Sequence, residues 1–236
     1  MRTSRPRISW IWFFIGFRPT NAAWGGRLRT TLDIQVQRTV GLLLAGHVKS
    51  LSSEGVTNAA AVVMDHATGE ILAWVGSADY FDAVHAGQVN GVLALRQPGS
   101  ALKPFTYGLA LERGLTPATI LPDIPTFAYA SGGDFTPRNY DKTFHGPVRL
   151  RTALACSYNV PTVRVLETMG VELLLYRLHM AGFSSLDKPP QHYGLGLTLG
   201  NGEVTLLELT RAYAALARGG VYIPEKILLP GRLHFC

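Results

Sequence analysis

Two residues of this chain, Ser100 and Lys103, have the types and spacing needed for nucleophilic chemistry. Residues i and i+3 lie on one face of a helix, so the Lys103 amine is expected over the Ser100 hydroxyl, where it can take the hydroxyl proton. A serine activated in this way attacks carbonyl carbon without a histidine. The turn Gln97-Pro98-Gly99 places Ser100 near a helix N-terminus, whose partial positive charge favours a developing alkoxide.

A second polar element, Ser157-Tyr158-Asn159, is the only Ser-x-Asn sequence in the chain. The apolar spacing on either side predicts helices over 148–156 and 161–169, with Pro161 in the first turn of the second helix. The element would then occupy the bend between two helices. Two hydroxyls, an amine and an amide could converge there on one carbonyl group.

The Ser-x-x-Lys spacing alone is a weak signal. Ser185-Leu-Asp-Lys188 has the same spacing, but Pro189 and Pro190 follow it and oppose a continuing helix. The prediction of a catalytic site therefore depends on the combination of Ser100 and Lys103 with the 157–159 element.

Ser-x-x-Lys followed by Ser-x-Asn is the motif pair of the penicillin-recognising serine acyltransferases. The flanking sequences resemble the transpeptidase domain of class A penicillin-binding proteins, and the likeness runs from about residue 29 to about residue 221. The segments that carry it are Arg96-Gln-Pro-Gly-Ser-Ala-Leu-Lys-Pro-Phe105, Asn139-Tyr140, Gly146-Pro-Val148, Ala153-Leu154, Leu199-Gly-Asn-Gly-Glu-Val-Thr-Leu-Leu-Glu-Leu209 and Ala212-Tyr213. The resemblance implies an α/β fold of the α+β type, similar to penicillin-binding proteins and serine β-lactamases, with a helical subdomain and an incomplete antiparallel sheet.

The resemblance also implies a reaction and its catalytic residues. Ser100 would attack the D-alanyl-D-alanine end of a peptidoglycan stem peptide, and a neutral Lys103 would accept its proton. Ser157 would relay the proton to the leaving amine, and Asn159 would hold the substrate amide and Lys103 in register. An amine from a second stem peptide would release the acyl-enzyme and form a cross-link, whereas water would make the protein a carboxypeptidase.

Further features of the family are expected here by resemblance. Gly99, Tyr158 and Asn139 would contact the substrate. The expected ligands are the peptidoglycan stem peptide and β-lactam antibiotics, with other cell-wall synthesis proteins as further partners, at the periplasmic side of the inner membrane. No cofactor is expected, and no metal, since the seven histidines show no metal-ligand spacing.

One departure from the family pattern bears on activity. The third family motif, Lys-Thr-Gly or Lys-Ser-Gly, has no counterpart here, because Lys142-Thr143 is followed by Phe144 and precedes Ser157. In the family this motif lies on a strand that supplies half of the oxyanion hole, the pair of hydrogen-bond donors that stabilises the reacting oxygen. Losing one such donor lowers the reaction rate about 10²- to 10³-fold. We therefore expect a truncated copy with impaired activity, without the family's glycosyltransferase domain, and with these parts: an unmatched extension over 1–24, a partial transpeptidase domain over 25–222 and an unmatched tail over 223–236.

Two alternatives stay open at this point, a non-catalytic cell-wall scaffold of the same fold and a β-lactamase-like serine hydrolase.

Nucleic-acid binding is not favoured. The net charge of +6 and the pI near 9.5 come from scattered arginines, with no stripe of basic and aromatic residues.

The apolar run over 8–17 is too short for a bilayer span of roughly 20 residues. It suits either a signal peptide, with a weak cleavage site at 20–22, or an aberrant start.

Periodicity and turn residues predict the elements that would position these groups. The predicted elements are a helix over 33–51, strands over 59–64 and 70–75, a helix over 104–112, a loop-rich stretch over 117–145, and helices over 172–180 and 206–218.

Overall fold

A computed structural model describes residues 29–125, 128–130 and 133–229. The described residues divide into two compact units, one that includes 29–94 and 223–229 and one that lies within 95–222. The apolar run over 8–17 and the proposed cleavage site at 20–22 lie outside the described residues. Within the described ranges, no helix combines the length and apolar character needed to cross a bilayer.

The first unit begins with helix α1, Ile34–Ser50. Asp33 caps it, because its carboxylate accepts hydrogen bonds from the backbone N–H groups of Gln35 and Val36 at 2.8 and 3.0 Å. Strands β1, Ala61–Met64, and β2, Ile71–Val75, form an antiparallel pair after it. The predicted helix over 33–51 and both predicted strands are confirmed, with bounds shifted by at most two residues.

The C-terminal end of the described chain belongs to this same unit. Ile71 donates its backbone N–H to Lys226 O at 2.9 Å, and Lys226 donates its own to Gly69 O at 2.8 Å. Thr31 N–H donates to Ile227 O at 2.9 Å. Residues 226–229 therefore add backbone hydrogen bonds to the start of β2 and to the segment before α1.

The second unit is mainly helical and is built around helix α2. Predicted helices over 104–112, 172–180 and 206–218 are confirmed within one residue at each end. The elements are a 3₁₀ turn at Gly99–Leu102, α2 at Lys103–Glu112, α3 at Leu150–Ala155, α4 at Asn159–Met169, α5 at Val171–Met180, α6 at Pro190–Tyr193, a 3₁₀ turn at Gly194–Leu199 and α7 at Leu206–Ala217.

Helix α2 buries two faces in two apolar clusters. Phe105 and Leu109 pack with residues of α4, α5 and α7, whereas Tyr107 and Ala110 pack with residues of α3 and α4 and with two nearby strands. Burying a side chain such as that of Phe105 or Leu109 stabilises the fold by about 1.5–3 kcal/mol. Because α2 is held on both sides, residues at its N-terminus are placed on a rigid support.

Three short strands lie within the stretch over 117–145, which was predicted to be loop-rich. Strand β3, Ile120–Asp123, pairs antiparallel with β6, Gly146–Arg149, and β4, Ala128–Ala130, pairs with β5, Gly133–Phe135. The helix predicted over 148–156 begins only at residue 150. Its first two predicted residues lie in β6, because pairing with a strand far away in sequence overrides their local helical pattern.

The predicted α+β class is confirmed by this mixture of helices and antiparallel strands. In the described residues the strands form three separate two-stranded sheets. The sheets are therefore small, and the second unit depends mainly on helix packing to hold its polar residues in place.

Candidate active site

Ser100 lies in the 3₁₀ turn Gly99–Leu102, directly before α2, and its side chain is exposed. Lys103 donates its backbone N–H to the Ser100 carbonyl, which closes the turn. Among the described residues, no side chain forms a hydrogen bond with Ser100 Oγ, and this includes Lys103 Nζ. The predicted placement at a helix start is confirmed, but the direct hydrogen bond between the two side chains is not found.

The turn that carries Ser100 begins at Gly99, and a second glycine, Gly200, packs against it. Gly99 has φ +58°, and Gly200, with φ +79°, lies so close that a Cβ on Gly200 would sit 2.2 Å from Gly99 N and 2.4 Å from Gly99 O. No side chain can occupy that space. The Gly99–Gly200 contact therefore determines how closely the Ser100 turn packs against the end of the 3₁₀ turn Gly194–Leu199.

Lys103 is the first residue of α2 and is 1% exposed. Its ammonium nitrogen donates to the Ser157 carbonyl oxygen, to Ser157 Oγ at 3.0 Å and to Asn159 Oδ1 at 2.6 Å. The structure therefore brings three of the four predicted catalytic residues together. Ser100 is located one turn before Lys103 along the chain, and both Ser100 and Ser157 are exposed.

Burial lowers the pKa of Lys103 from 10.5 to about 8, because the charged form loses solvation. At this pKa about one Lys103 in ten is neutral at pH 7. A neutral amine has a lone pair and can accept a proton. Lys103 could therefore serve as a general base without histidine.

The three partners of Lys103 determine which of them can exchange a proton with it. The Ser157 carbonyl can only accept hydrogen bonds. Asn159 Oδ1 also only accepts, and the Asn159 amide has a defined orientation because its Nδ2 donates to Arg138 O at 2.8 Å. The Ser157 hydroxyl can either accept or donate. When Lys103 is neutral, its lone pair can therefore face Ser157 Oγ, and among these three partner atoms only the Ser157 hydroxyl is able to exchange a proton with it.

The bend that carries Ser157 is strained. Ser157 has φ +56°, an uncommon conformation for a residue with a Cβ, and Tyr158 is extended at φ −61° and ψ 135°. Hydrogen bonds from Ser157 N–H to Leu154 O at 3.1 Å and from Tyr158 N–H to Ala153 O at 2.9 Å close the end of α3. This conformation turns both the carbonyl and the hydroxyl of Ser157 toward Lys103.

Tyr107 supports the same bend, and the sequence analysis did not identify it as part of the site. It lies four residues after Lys103, on the same face of α2, and is 1% exposed. Its hydroxyl is 2.8 Å from Thr162 Oγ1, which donates to Tyr158 O at 2.7 Å. Burial raises the pKa of Tyr107 to about 12, so the phenol stays protonated and acts as a donor. The i, i+4 spacing from Lys103 was the available signal.

The three predicted substrate-binding residues have different surroundings. Gly99 lies in the Ser100 turn. Tyr158 is partly exposed, and its ring stacks on His145 with centroids 4.1 Å apart and an angle of 16° between the planes. Asn139 is 4% exposed, and both polar atoms of its side chain are bound by protein groups. Contact with substrate stays a prediction for all three.

The second Ser-x-x-Lys sequence has a structural use. Ser185 donates its hydroxyl to Glu208 Oε2 at 2.8 Å, and Lys188 Nζ lies 3.3 Å from Asp187 Oδ1. Ser185 and Lys188 do not interact with each other. In the described part of the chain, no group of three or more His, Cys, Asp and Glu side chains is arranged to hold a metal ion.

Comparison with known proteins places this chain in a family. Residues 59–229 match the model of the penicillin-binding protein transpeptidase domain. The chain is 37% identical over 195 residues to penicillin-binding protein 1C of Escherichia coli K12, covering 82% of this chain and 24% of that protein. It is 35% identical over 179 residues to penicillin-binding protein 1A of Neisseria meningitidis Z2491, covering 74% of this chain and 22% of that protein.

Solved structures of penicillin-binding proteins also match this chain. Penicillin-binding protein 1A from Haemophilus influenzae matches with a TM-score of 0.64 and 34% identity, covering 72% of this chain and 25% of that one. Penicillin-binding protein A from Mycobacterium tuberculosis, in an imipenem acyl-enzyme complex, shares the fold with a TM-score of 0.73 at 22% identity, covering 92% and 57% of the two chains.

The chain belongs to the penicillin-binding protein transpeptidase domain family. The resemblance and the fold predicted from the motifs are thereby confirmed. The chain spans about a quarter of the length of the curated relatives that it matches.

Proposed function

We propose that this chain is a serine acyltransferase that acts on the D-alanyl-D-alanine end of peptidoglycan stem peptides and is acylated by β-lactams. The observation that carries the proposal is the desolvated Lys103, which contacts both Ser157 and Asn159 beside the exposed Ser100 turn. Family membership supplies the substrate class. The bacterial origin of the relatives supports action at the periplasmic face of the cell envelope.

The reaction starts with attack by Ser100 Oγ on the carbonyl carbon of the penultimate D-alanine. The Ser100 proton passes to the neutral amine of Lys103, and Lys103 exchanges it with the Ser157 hydroxyl. The peptide C–N bond then breaks, and Ser157 donates a proton to the departing D-alanine amine. Asn159 keeps Lys103 beside Ser157 throughout.

The second half of the reaction releases the acyl group. An amine from another stem peptide attacks the ester carbonyl and loses a proton to the Ser157–Lys103 pair, an amide bond forms, and Ser100 Oγ leaves and recovers its proton. A water molecule in place of the amine would give a free carboxylate. The acceptor therefore decides between cross-linking and hydrolysis.

Fluorescent penicillin tests this proposal on the 236-residue chain. We expect covalent label on Ser100, located by mass spectrometry of the labelled peptide. Ser100→Ala should abolish the label, and Ser185→Ala is the matched control, because Ser185 has the same Ser-x-x-Lys spacing and should leave labelling intact. A folded chain that takes up no label, as a non-catalytic scaffold would, overturns the proposal.

A second measurement separates acyl transfer from β-lactamase action. A transferase keeps the penicilloyl group on Ser100 for many minutes and joins a stem pentapeptide to an added amine with loss of D-alanine. Rapid turnover of penicillin with no such amide product would contradict transpeptidation and favour the hydrolase.

A further inference from the structure

The segment Arg138-Asn139 holds Asn159 at two points. Arg138 O accepts from Asn159 Nδ2 at 2.8 Å, and Asn139 Oδ1 accepts from the backbone N–H of Asn159 at 2.8 Å and of Val160 at 3.3 Å. Helix α4 has no side-chain cap from its own N-cap residue, Tyr158. Asn139 therefore supplies the cap from another part of the chain.

The first of these contacts has a direct chemical effect. The Asn159 amide could turn over and present either its oxygen or its nitrogen to Lys103. Because Nδ2 donates to Arg138 O, the oxygen is the atom that faces Lys103 Nζ, at 2.6 Å. A turned amide would present a second donor to an amine that already donates to Ser157.

The segment is itself anchored by a buried carboxylate, Asp123 at the end of β3. Asp123 is fully buried, and Asn139 Nδ2 lies 2.9 and 2.8 Å from its two oxygens. Asp123 Oδ2 also accepts from His145 N–H at 3.0 Å and lies 2.7 Å from His145 Nδ1. Asn139 Nδ2 further donates to Thr143 O at 2.8 Å.

We propose that Asp123 and Asn139 are positioning residues for acyl transfer, which hold the 138–139 segment so that Asn159 presents its amide oxygen to Lys103. This inference rests on the proposed function of Ser100 and Lys103. Neither residue touches the reacting atoms. Both act through Asn159, and the buried Asp123 side chain has its hydrogen bonds met by the Asn139 amide and by His145, as a buried polar group requires.

A double-mutant cycle separates positioning from simple loss of stability. The readout is the second-order rate constant for acylation of Ser100 by fluorescent penicillin, expressed per folded molecule. We expect Asn139→Ala to lower it at least about 10-fold in the wild-type background and less than about 3-fold in the Asn159→Ala background. Glu208→Gln is the control, because it removes a buried carboxylate of the same unit that has no contact with Lys103 or Asn159, and it should change the rate per folded molecule less than about 3-fold.

Exchanging the side chains of Asp123 and Asn139 provides a second test, which is needed if Asn139→Ala folds poorly. Asn139→Asp alone sets two carboxylates against each other and should lower the rate. Asp123→Asn combined with Asn139→Asp restores the donor and acceptor pair between the two side chains, but not the hydrogen bond from position 139 to Thr143 O, and should recover part of that loss.

The outcomes distinguish the two proposals. No label on wild-type Ser100 contradicts the proposed function. A labelled wild type with Asn139→Ala acylated at the wild-type rate, or with equal losses in both backgrounds, overturns the positioning role. Failure of the exchanged pair to recover any rate while folded also counts against it.

Discussion

Lys103 Nζ lies 2.6 Å from Asn159 Oδ1, so the first residue of α2 and the first residue of α4 are joined by a hydrogen bond between a buried amine and an amide oxygen. An acceptor at this distance favours the charged lysine, whereas burial favours the neutral one. Burial has the larger effect, and the pKa of Lys103 falls to about 8. The site therefore holds a base whose charge changes close to neutral pH.

The first prediction concerns the pH dependence of acylation. In the proposed reaction the neutral Lys103 accepts the Ser100 proton, so the acylation rate should rise with pH and level off above a midpoint near 8. Below the midpoint the rate should fall about 10-fold per pH unit. Stopped-flow measurement with a chromogenic cephalosporin from pH 6 to 10 checks this. A rate that falls between pH 7 and 9 would be inconsistent with Lys103 as the base.

The second prediction separates the hydroxyl of Ser157 from its backbone. Ser157→Gly removes the hydroxyl and relieves the strain at φ +56°, so the free energy of unfolding should stay equal or rise by up to about 1 kcal/mol. Acylation should still fall about 10²-fold or more, because the proton-exchange partner is lost. Ser157→Ala should lose as much rate and also some stability. Acylation of Ser157→Gly at the wild-type rate would show that only the backbone of Ser157 is needed.

The third prediction concerns Gly200. A methyl group there meets the backbone of Gly99 at 2.2 Å, so Gly200→Ala should displace the Ser100 turn and lower acylation at least about 10-fold. Gly219 has a similar φ of +70°, but no heavy atom apart from those of its own residue and its chain neighbours is found within 4 Å of the position that its Cβ would take, which makes Gly219→Ala the matched control. It should cost about 1 kcal/mol in unfolding free energy and leave acylation intact. Equal acylation rates for the two variants would disprove the role of the Gly99–Gly200 contact.

The fourth prediction concerns stability at Glu208, which is 3% exposed. Burial opposes its charge, but hydrogen bonds from Thr205, Ser184 and Ser185 outweigh that effect and hold the pKa of Glu208 below 4.5. Glu208→Gln replaces an acceptor by a donor among these groups and should lower the unfolding free energy by about 1–3 kcal/mol at pH 7. Urea unfolding measures this change.

The pH dependence of that difference follows from the direction of the shift. A carboxylate with a lowered pKa in the folded state stabilises the fold above its unfolded value of 4.5, and this stabilisation is lost as the pH falls further. Wild type and Glu208→Gln should therefore become more alike in stability between pH 5 and pH 3. A constant difference over this range would mean that the charge of Glu208 does not contribute.

Much of the local structure follows from the sequence because its signals are local. The cap residue Asp33, the turn over 65–69, the glycine at 182 and the capping box from Thr205 to Glu208 mark helix and strand ends within a few residues of themselves. The motif pair of the active site is equally local. Together with the flanking segments that resemble the family, it predicted the family and the four candidate catalytic residues.

Contacts between distant segments could not be predicted in this way. Strand β3 pairs with β6, so Val148 adopts extended structure despite a sequence that suits a helix. Asn139 caps a helix that begins 20 residues later, and Asp123 anchors Asn139. No periodicity links such residues, because their contact exists only once the chain between them has folded.

The amino-acid sequence by itself determined which groups are available, a serine in a glycine turn, a lysine one helical turn later and a Ser-x-Asn bend. The tertiary structure decided how those groups meet. Lys103 extends across to Ser157 and Asn159 because α2 is buried on two faces and its polar end must find acceptors in the protein interior. The sequence spacing predicted a hydrogen bond between Lys103 and Ser100, but packing and the energetic cost of an unsatisfied buried amine direct Lys103 to the neighbouring helix.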